Sequence, residues 1–462
     1  MGSGPPDEDR AGTLAAVADP ARQRTGDVSR HRQGPSAGTA PTVLPPRMAP
    51  MPETTSRSGA PLRIAAISLH TSPLEDPGGD DAGGMNVVVL ELSLALARAG
   101  HTVELITRRA APDAPDVVDV APGVRLHHLV AGPPATLAKS AMEQAIAPFR
   151  EHLGGLLAEL DVDLVHSHHW FSGVAALPVA RELGVPHLQS FHSVAAPEGS
   201  GSLDAGEPAE SPGRIPGEAA VAEGSDLVVA VSEAEACTVA ERYGVPGERI
   251  TIVRPGVDVE RFRPSPEDPE ERRRRPTLLF TARLQPLKAP DLALEVLAHL
   301  DPAIGARLVL AGGVSQDFAP YLQQLRDRAR ELGVQDRVEF AGSMGREQLA
   351  AAMRGAGVLL LTSWSETFGL VALEAQASGT PVVAWRCAGG VKEAVGPGGV
   401  VLGSRDPDVW AEAVEAMLGD PARFAEAVTA SREFATTRTW EASGEALAAL
   451  YREQLARSEA RR

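Results

Sequence analysis

The sequence predicts an α/β protein made of two successive domains, each with a parallel sheet. Three observations lead there. Short buried-strand patterns alternate with longer apolar helical ones along most of the chain, as βαβ units require. That alternation breaks once, around residues 254–276, and then starts afresh. The 462 residues, 43% hydrophobic, suffice for two cores, and the low aromatic share (4%) with many Ala, Gly and Pro residues suits tight α/β turns.

Residues 1–61 are rich in Pro, Gly, Ser, Thr, Arg and Ala without a sustained period, and read as a disordered tail that cannot bury enough surface to order itself. The first domain spans 62–260. It opens on a buried strand at 62–68, continues through the Gly-rich loop 78–84 into an apolar helix at 86–99 stopped by Gly100, and returns as a strand at 102–107. Further strands are expected at 164–166, 186–191, 227–231 and 250–253. Residues 261–276 form a linker whose charged run, 267–275, reads as a solvated surface. The second domain, 277–438, has strands expected at 277–281, 308–311, 338–340, 358–361 and 382–384 and a helix at 291–300. A last helix at 439–456, within the terminal segment 439–462, is expected to pack back across the first domain. Ligands of open α/β sheets sit outside the strand C-termini, so a site is expected in the cleft between the domains.

Charge and cysteine content narrow the function. Lys and Arg total 44 against 61 Asp and Glu, a net charge of −17, which argues against a general nucleic-acid or membrane-surface binder. An anionic substrate would need a local basic pocket. Cys237 and Cys387 stand far apart, so a disulfide framework or zinc site is not expected and a reducing cytoplasm fits. No apolar run reaches the ~18 residues of a membrane span, and the N-terminus lacks a signal-peptide apolar core.

Three motifs carry chemistry. Glycines 78, 79, 83 and 84 let backbone approach a ligand at the N-terminus of the first helix, where anions are favoured. Arg283 and Lys288 follow a strand directly, as a diphosphate clamp would. In the stretch 365–381, Glu366 and Glu374 flank a turn that enters an Ala-rich helix, with Gly379 at the C-cap and Pro381 opening the next strand. If most of that stretch is helical, the carboxylates lie ~12 Å apart along the axis, roughly the span from ribose to hexose in a nucleotide-sugar. Helix N–H groups near Phe368 and Gly369 would meet the diphosphate between them. Each motif has a bland alternative: a flexible loop, two surface cations, a surface helix with two solvated glutamates. Their occurrence in order at predicted strand ends gives them joint weight. His166, His168 and His169, with no carboxylate or Cys ligand nearby, read as structural or substrate-binding rather than metal-binding, and His192 follows a strand end into the cleft.

With these residues in place, the chain resembles the family 4 retaining glycosyltransferases of the GT-B fold, in which two Rossmann-like parallel α/β domains face across a cleft. The spacings Glu366-x7-Glu374 and Arg283-x4-Lys288 are the family's marks, and the match covers roughly 62–460. Within the family, residues 67–74, 81–86, 283–286 and 365–381 are similar to the actinobacterial transferases that move N-acetylglucosamine from UDP-GlcNAc to 1D-myo-inositol 3-phosphate, the first step of mycothiol biosynthesis. The resemblance implies that His70, Asp81, Ala82, Gly83, Gly84, Met85 and Asn86 hold the acceptor, with Lys139 and Arg214 at its phosphate and His169 and Ser193 beside it. Asp76, Pro77 and Gly84 would touch the donor, Arg283 and Lys288 its diphosphate, and the backbone near Met344 its uracil. Glu366 would bind the sugar hydroxyls, Glu374 the ribose, the Phe368-Gly369-Leu370 backbone the phosphate, and His192 would line the transferred sugar. Arg283, Lys288, Glu366 and His192 would carry catalysis by same-face substitution with retention, neither glutamate being placed as a nucleophile. No cofactor is required for that chemistry. A structural Mg²⁺ would sit among groups at Met353, Arg354, Ala356 and Thr380, where no carboxylates cluster. A homodimer is among the implied assemblies.

The chain departs from the family pattern at two acceptor positions: His169 replaces a Tyr and Ser193 a Thr. The loop 194–213 is poor in Lys and carries Glu198, Glu207 and Glu210. These departures keep open a transferase with another acceptor, such as an aminocyclitol or a lipid-linked sugar, which Lys139 and Arg214 oppose. A non-catalytic sugar-nucleotide-binding module is the second alternative, opposed by the presence of both Glu366 and Lys288. A two-domain periplasmic-type binding protein is the third, opposed by the lack of a signal peptide.

Overall fold

The computed structural model describes residues 60–75, 83–196, 199–204, 211–265, 269–314, 318–386 and 388–461. Asp76, Pro77, Asp81, Ala82, Cys387, nearly all of the expected tail and the side chain of Lys139 lie outside the described residues.

Eight strands form the first sheet: β1 (Arg63–Ile67), β2 (Thr102–Arg108), β3 (Val117–Ala121), β4 (Val124–Leu129), β5 (Leu164–His168), β6 (His187–Ser190), β7 (Leu227–Ala230) and β8 (Ile250–Ile252). Their order is β3-β4-β2-β1-β5-β6-β7-β8, parallel except for the β3–β4 pair. The second sheet takes β9 (Thr277–Thr281), β10 (Arg307–Ala311), β11 (Val338–Gly342), β12 (Val358–Leu361), β14 (Val382–Trp385) and β16 (Val400–Leu402), all parallel, in the order β11-β10-β9-β12-β14-β16. Two residues of β13 (Ser365–Glu366) pair with β15 (Ala388–Gly389) as a separate ribbon. This is the two-sheet parallel architecture that the alternating pattern predicts. The central strands β1, β5, β9 and β12 are largely buried on both faces, hence the near-continuous apolar runs of β1, β9 and β12, whereas β5 ends in His-Ser-His.

In both sheets the order reverses at the first strand. β1 lies between β2 and β5, and β9 between β10 and β12. Loops leaving the C-terminal ends of β1 and β5, or of β9 and β12, therefore diverge to opposite faces and leave a crevice.

Several elements differ from the sequence reading, among them β13, β15 and β16, which were not expected. The β3–β4 hairpin was not expected; its strands alternate apolar and polar residues around Gly123 (φ +83°), and Arg125 and His127 of β4 close on the fully buried Glu104 at 2.5 and 2.8 Å. The charged run read as a solvated surface instead contains the helix Pro269–Arg274, in which Arg272 is buried and Arg273 bonds the Leu418 carbonyl at 2.7 Å. Carbonyls left over at helix ends recruit those guanidinium groups inward. The Glu366–Glu374 stretch is only partly helical: the helix is Leu370–Ala377, Gly369 precedes it in the left-handed region (φ +95°), and Glu366 sits on β13.

The terminal helix Trp440–Arg461 packs on the first domain, where Trp440, Leu447, Ala448 and Tyr451 join the core beneath the helix Gly84–Arg98. The chain thus crosses between domains twice. The two crossings touch: Val257 N–H donates to the Arg438 carbonyl at 2.9 Å, and a Cβ on Gly256 would lie 2.3 Å from the Thr439 backbone.

Candidate active site

Second-domain face. Lys288 closes the short turn Pro286–Lys288 after β9, and Glu366 follows β12, so the crevice of the second sheet brings them together. Lys288 Nζ lies 2.8 Å from Glu366 Oε1, and Ser363 Oγ donates to that same oxygen at 2.7 Å. Thr362 Oγ1 is within hydrogen-bond distance of the Lys288 and Ala289 carbonyls (2.9 and 2.8 Å), and Trp364 N–H donates to Leu287 O at 2.8 Å. The two loops are thereby lashed together, which fixes the ion pair. Ala289 takes a left-handed φ of +49°, strain that the surrounding bonds over-determine. Glu366 is anchored through β15, where Gly389 approaches so closely that a Cβ would fall 1.8 Å from the Glu366 carbonyl oxygen.

Glu374 is 2% exposed on the Leu370–Ala377 helix. Burial pushes its carboxyl pKa up, and Arg346, 2.6 Å away, pulls it back. Arg346 opens the helix Arg346–Gly355 after β11, near Met344, and lies over the Phe262 ring at 4.7 Å. Arg346 was missed by sequence reasoning, since nothing near Glu374 points to a partner 28 residues upstream. Arg283 is half-buried after β9; below it Gly312 admits the Ala282 carbonyl, which a Cβ would meet at 1.8 Å. Phe368 and Leu370 are buried against the helix start.

First-domain face. His70 follows β1, His168 ends β5, His169 opens the next helix (His169–Leu183) and His192 follows β6, so four rings gather at the crevice of the first sheet. His70 lies against His169 with centroids 4.3 Å apart, and His168 Nδ1 meets His192 Nε2 at 2.9 Å. His169 and His192 are in left-handed conformations, φ +69° and +58°. With Ala289, they make three of the four described non-glycine residues with positive φ, and all three lie at the two crevices. Behind them, His166 bonds Tyr451 of the terminal helix at 2.7 Å and Ser190 at 3.0 Å. Burial drives His166 and His192 to a pKa of about 3 and His168 well below its usual value, so these imidazoles are neutral. Buried Glu235 accepts from Val231 N–H at 2.7 Å and also from the His192 backbone; burial raises its pKa to about 7. Neither Tyr451 nor Glu235 was foreseen, because both act across long sequence separations.

Arg214 is 3% exposed, ion-paired to Glu218 at 2.8 Å and bonded to Ser193 Oγ at 3.1 Å. Asn86 is turned to local architecture: its amide holds Thr71 Oγ1 at 2.7 Å and the Ser72 carbonyl. Cβ atoms built on Gly83 and Gly84 would meet nothing within 4 Å among the described residues. Met353, Arg354, Ala356 and Thr380 cluster around Arg272, away from both crevices. Among the described residues no three His, Cys, Asp or Glu side chains gather as metal ligands, and no helix is long and apolar enough to cross a membrane.

The faces meet directly. Ser232 Oγ donates to the Thr367 carbonyl at 2.7 Å, Glu393 accepts from Glu233 N–H at 2.8 Å, and Arg254 from the first-domain end pairs with Glu393 at 2.6 Å.

A family model described as Glycosyltransferase Family 4 matches residues 82–261, and one described as Glycosyl transferases group 1 matches 262–434. The chain is 40% identical to the D-inositol 3-phosphate glycosyltransferase of Nocardiopsis dassonvillei, covering 86% of this chain and 95% of that one. It is 39% identical to the protein of the same name from Thermobifida fusca, covering 88% and 96%. Among solved structures, sucrose-phosphate synthase from Thermosynechococcus elongatus superposes with a TM-score of 0.77 at 28% identity, covering 86% of this chain and 99% of that one. Anabaena HepE, solved with UDP and glucose, superposes at 0.66 and 18% identity over 85% and 100%, a likeness of fold. This chain belongs to the family 4 glycosyltransferases of the GT-B fold and is a hexosyltransferase.

Proposed function

We propose that this hexosyltransferase moves N-acetylglucosamine from UDP-GlcNAc to 1D-myo-inositol 3-phosphate in the cytoplasm, with retention at the anomeric carbon, as the first step of mycothiol biosynthesis. The observation that carries the reading is the relatives named D-inositol 3-phosphate glycosyltransferase, matched at about 40% identity across a span that includes both crevices.

In this reading the second-domain face binds the donor. The bonds from Lys288 and Ser363 both end on Glu366 Oε1, leaving Oε2 for sugar hydroxyls; Arg346 likewise engages Oε1 of Glu374 and leaves Oε2 for the ribose. Arg283, Lys288 and the N-terminus at Leu370 stabilise charge on the departing UDP from positions fixed before the donor arrives. On the first-domain face Arg214 and Ser193 meet the acceptor phosphate, and His70, His169 and His192 shape the pocket around inositol and sugar. The acceptor hydroxyl oxygen bonds to the anomeric carbon as the bond to UDP breaks on the same face. Its proton passes to the departing phosphate oxygen.

An acceptor screen with UDP-GlcNAc, following UDP release, tests this. Release should depend on inositol 3-phosphate and be unsupported by free inositol or an aminocyclitol. Robust release that inositol phosphate does not increase would overturn the assignment.

A further inference from the structure

The four positions at which the family resemblance implies Mg²⁺ do come together, and a cation already stands among them. Arg272 Nη1 donates to the Ala356 carbonyl at 3.1 Å, the Arg354 carbonyl at 3.3 Å and Thr380 Oγ1 at 3.2 Å. Its Nη2 donates to the Gly379 carbonyl at 3.2 Å, and Thr380 Oγ1 in turn donates to the Met353 carbonyl. All four implied positions are thus in one network centred on a guanidinium. Met353, Ala356 and Thr380 are fully buried, and Arg272 is 9% exposed.

This donor set does not fit Mg²⁺. The ion wants about six oxygens at roughly 2.0–2.1 Å in octahedral array and is usually bound with at least one carboxylate. Here the oxygens are neutral carbonyls and one hydroxyl, and among the described residues Arg272 has no carboxylate partner. A planar guanidinium, with its donors in a fixed fork, matches an array of carbonyls at ~3 Å. A second cation at that distance, in a buried site with no counter-charge among the described residues, would be strongly repelled.

We propose that Arg272 is a built-in replacement for the structural cation, making this transferase independent of metal at that position. Two of the carbonyls, of Arg354 and Ala356, close the helix Arg346–Gly355, and Gly379 follows the helix Leu370–Ala377, so one positive charge serves two helix C-termini. At the opposite end of the first helix, Arg346 grips Glu374 on the second. Arg272 is therefore a positioning residue: it sets the spacing of the two helices that carry that ion pair.

The test uses the full chain without nucleotide, so that a metal–diphosphate complex cannot contribute and the donor reading is not at stake. After EDTA dialysis, Mn²⁺ binding is titrated by electron paramagnetic resonance, and Tm is recorded with and without Mg²⁺. The wild type should bind no stoichiometric Mn²⁺ and keep its Tm in either condition. Arg272→Ala should lower Tm by roughly 5–10 °C, and Arg272→Lys, which keeps the charge, should fall in between; neither variant should regain Tm with Mg²⁺, because the oxygens left behind lack the carboxylate that ion needs. One equivalent of Mn²⁺ bound by the wild type and competed by Mg²⁺, together with a Tm that drops in EDTA, would overturn the proposal. The wild-type measurements decide the matter even where the alanine variant does not fold. Once they agree, a raised KM for the sugar nucleotide in Arg272→Lys with kcat little changed identifies the spacing role; a Tm loss with KM unmoved would reduce Arg272 to a stabilising residue only.

Discussion

At the crevice of the second sheet the titratable groups are paired ions, Lys288 with Glu366 and Arg346 with Glu374. At the crevice of the first, histidines pack ring against ring, burial strips His166, His168 and His192 of charge, and Arg214 forms a buried pair with Glu218. Charge fixed before the substrate arrives is what a reaction needs where negative charge develops on a leaving diphosphate. Neutral imidazoles add shape and hydrogen bonds without a field of their own. Under the proposed function the two faces would divide the labour: one would handle charge that changes during transfer, the other would position a substrate whose charge does not.

The sharpest way to break that division is Lys288→Ala. It should lower kcat by about 10²–10³-fold, the loss typical of removing one preorganised group at a developing charge; a loss below tenfold in steady-state turnover would mean that the pair does not meet the leaving group. Glu374→Gln comes next. It leaves Arg346 without its counter-charge and should weaken UDP binding by roughly 10–100-fold by calorimetry, as losing a hydrogen bond to a charged group would. Unchanged UDP affinity would make that pair architectural.

Acidification sharpens the comparison from the other side. His166 and His187 have folded pKa values of about 3 against an ordinary 6.5. Below pH ~6.5 the unfolded chain takes up protons that the folded chain refuses, so their stabilisation is intact above that pH and is lost as pH falls toward 3. His168 and His192 act in the same direction. Glu235, raised to about 7, opposes them, since its folded form holds a proton that the unfolded chain releases. The histidines outnumber it, so stability should fall between pH 7 and 5 by on the order of 1 kcal/mol per pH unit per uncompensated histidine, and Tm with it. A flat Tm over that range would show the rings to be hydrated rather than neutral and buried. The smallest effect expected is Ser232→Ala, which removes one bond between the faces, about 1 kcal/mol; a thermal melt that does not move would show that the contact holds no strain-free energy of its own.

Local patterns in the sequence carried most of the fold. Eleven strands were legible because each is a short apolar run with its own punctuation, and Gly379 (φ +71°) was legible as a helix stop. The β3–β4 hairpin was not, because its half-exposed strands lack such a run. Glu366 and Glu374 stood out because their motif is contiguous. Their partners Lys288, Ser363 and Arg346 become neighbours only once β9, β11 and β12 align. Arg272 was hidden for a different reason: a charged run suggests solvent, and only the orphan carbonyls of two distant helices say otherwise.

The paired crossings at Val257 and Arg438 have a mechanical consequence. Two chain segments bonded side by side make a hinge with a single pin line: bending about that line is soft, whereas twisting or sliding would shear the bonds between them. Gly256, pressed on the Thr439 backbone, leaves no slack for a side chain to loosen the joint. A cleft that opened about these crossings would bend along the Val257–Arg438 line. Closing it would remake the Ser232–Thr367 contact, and with it the same register between the paired ions of one face and the histidines of the other.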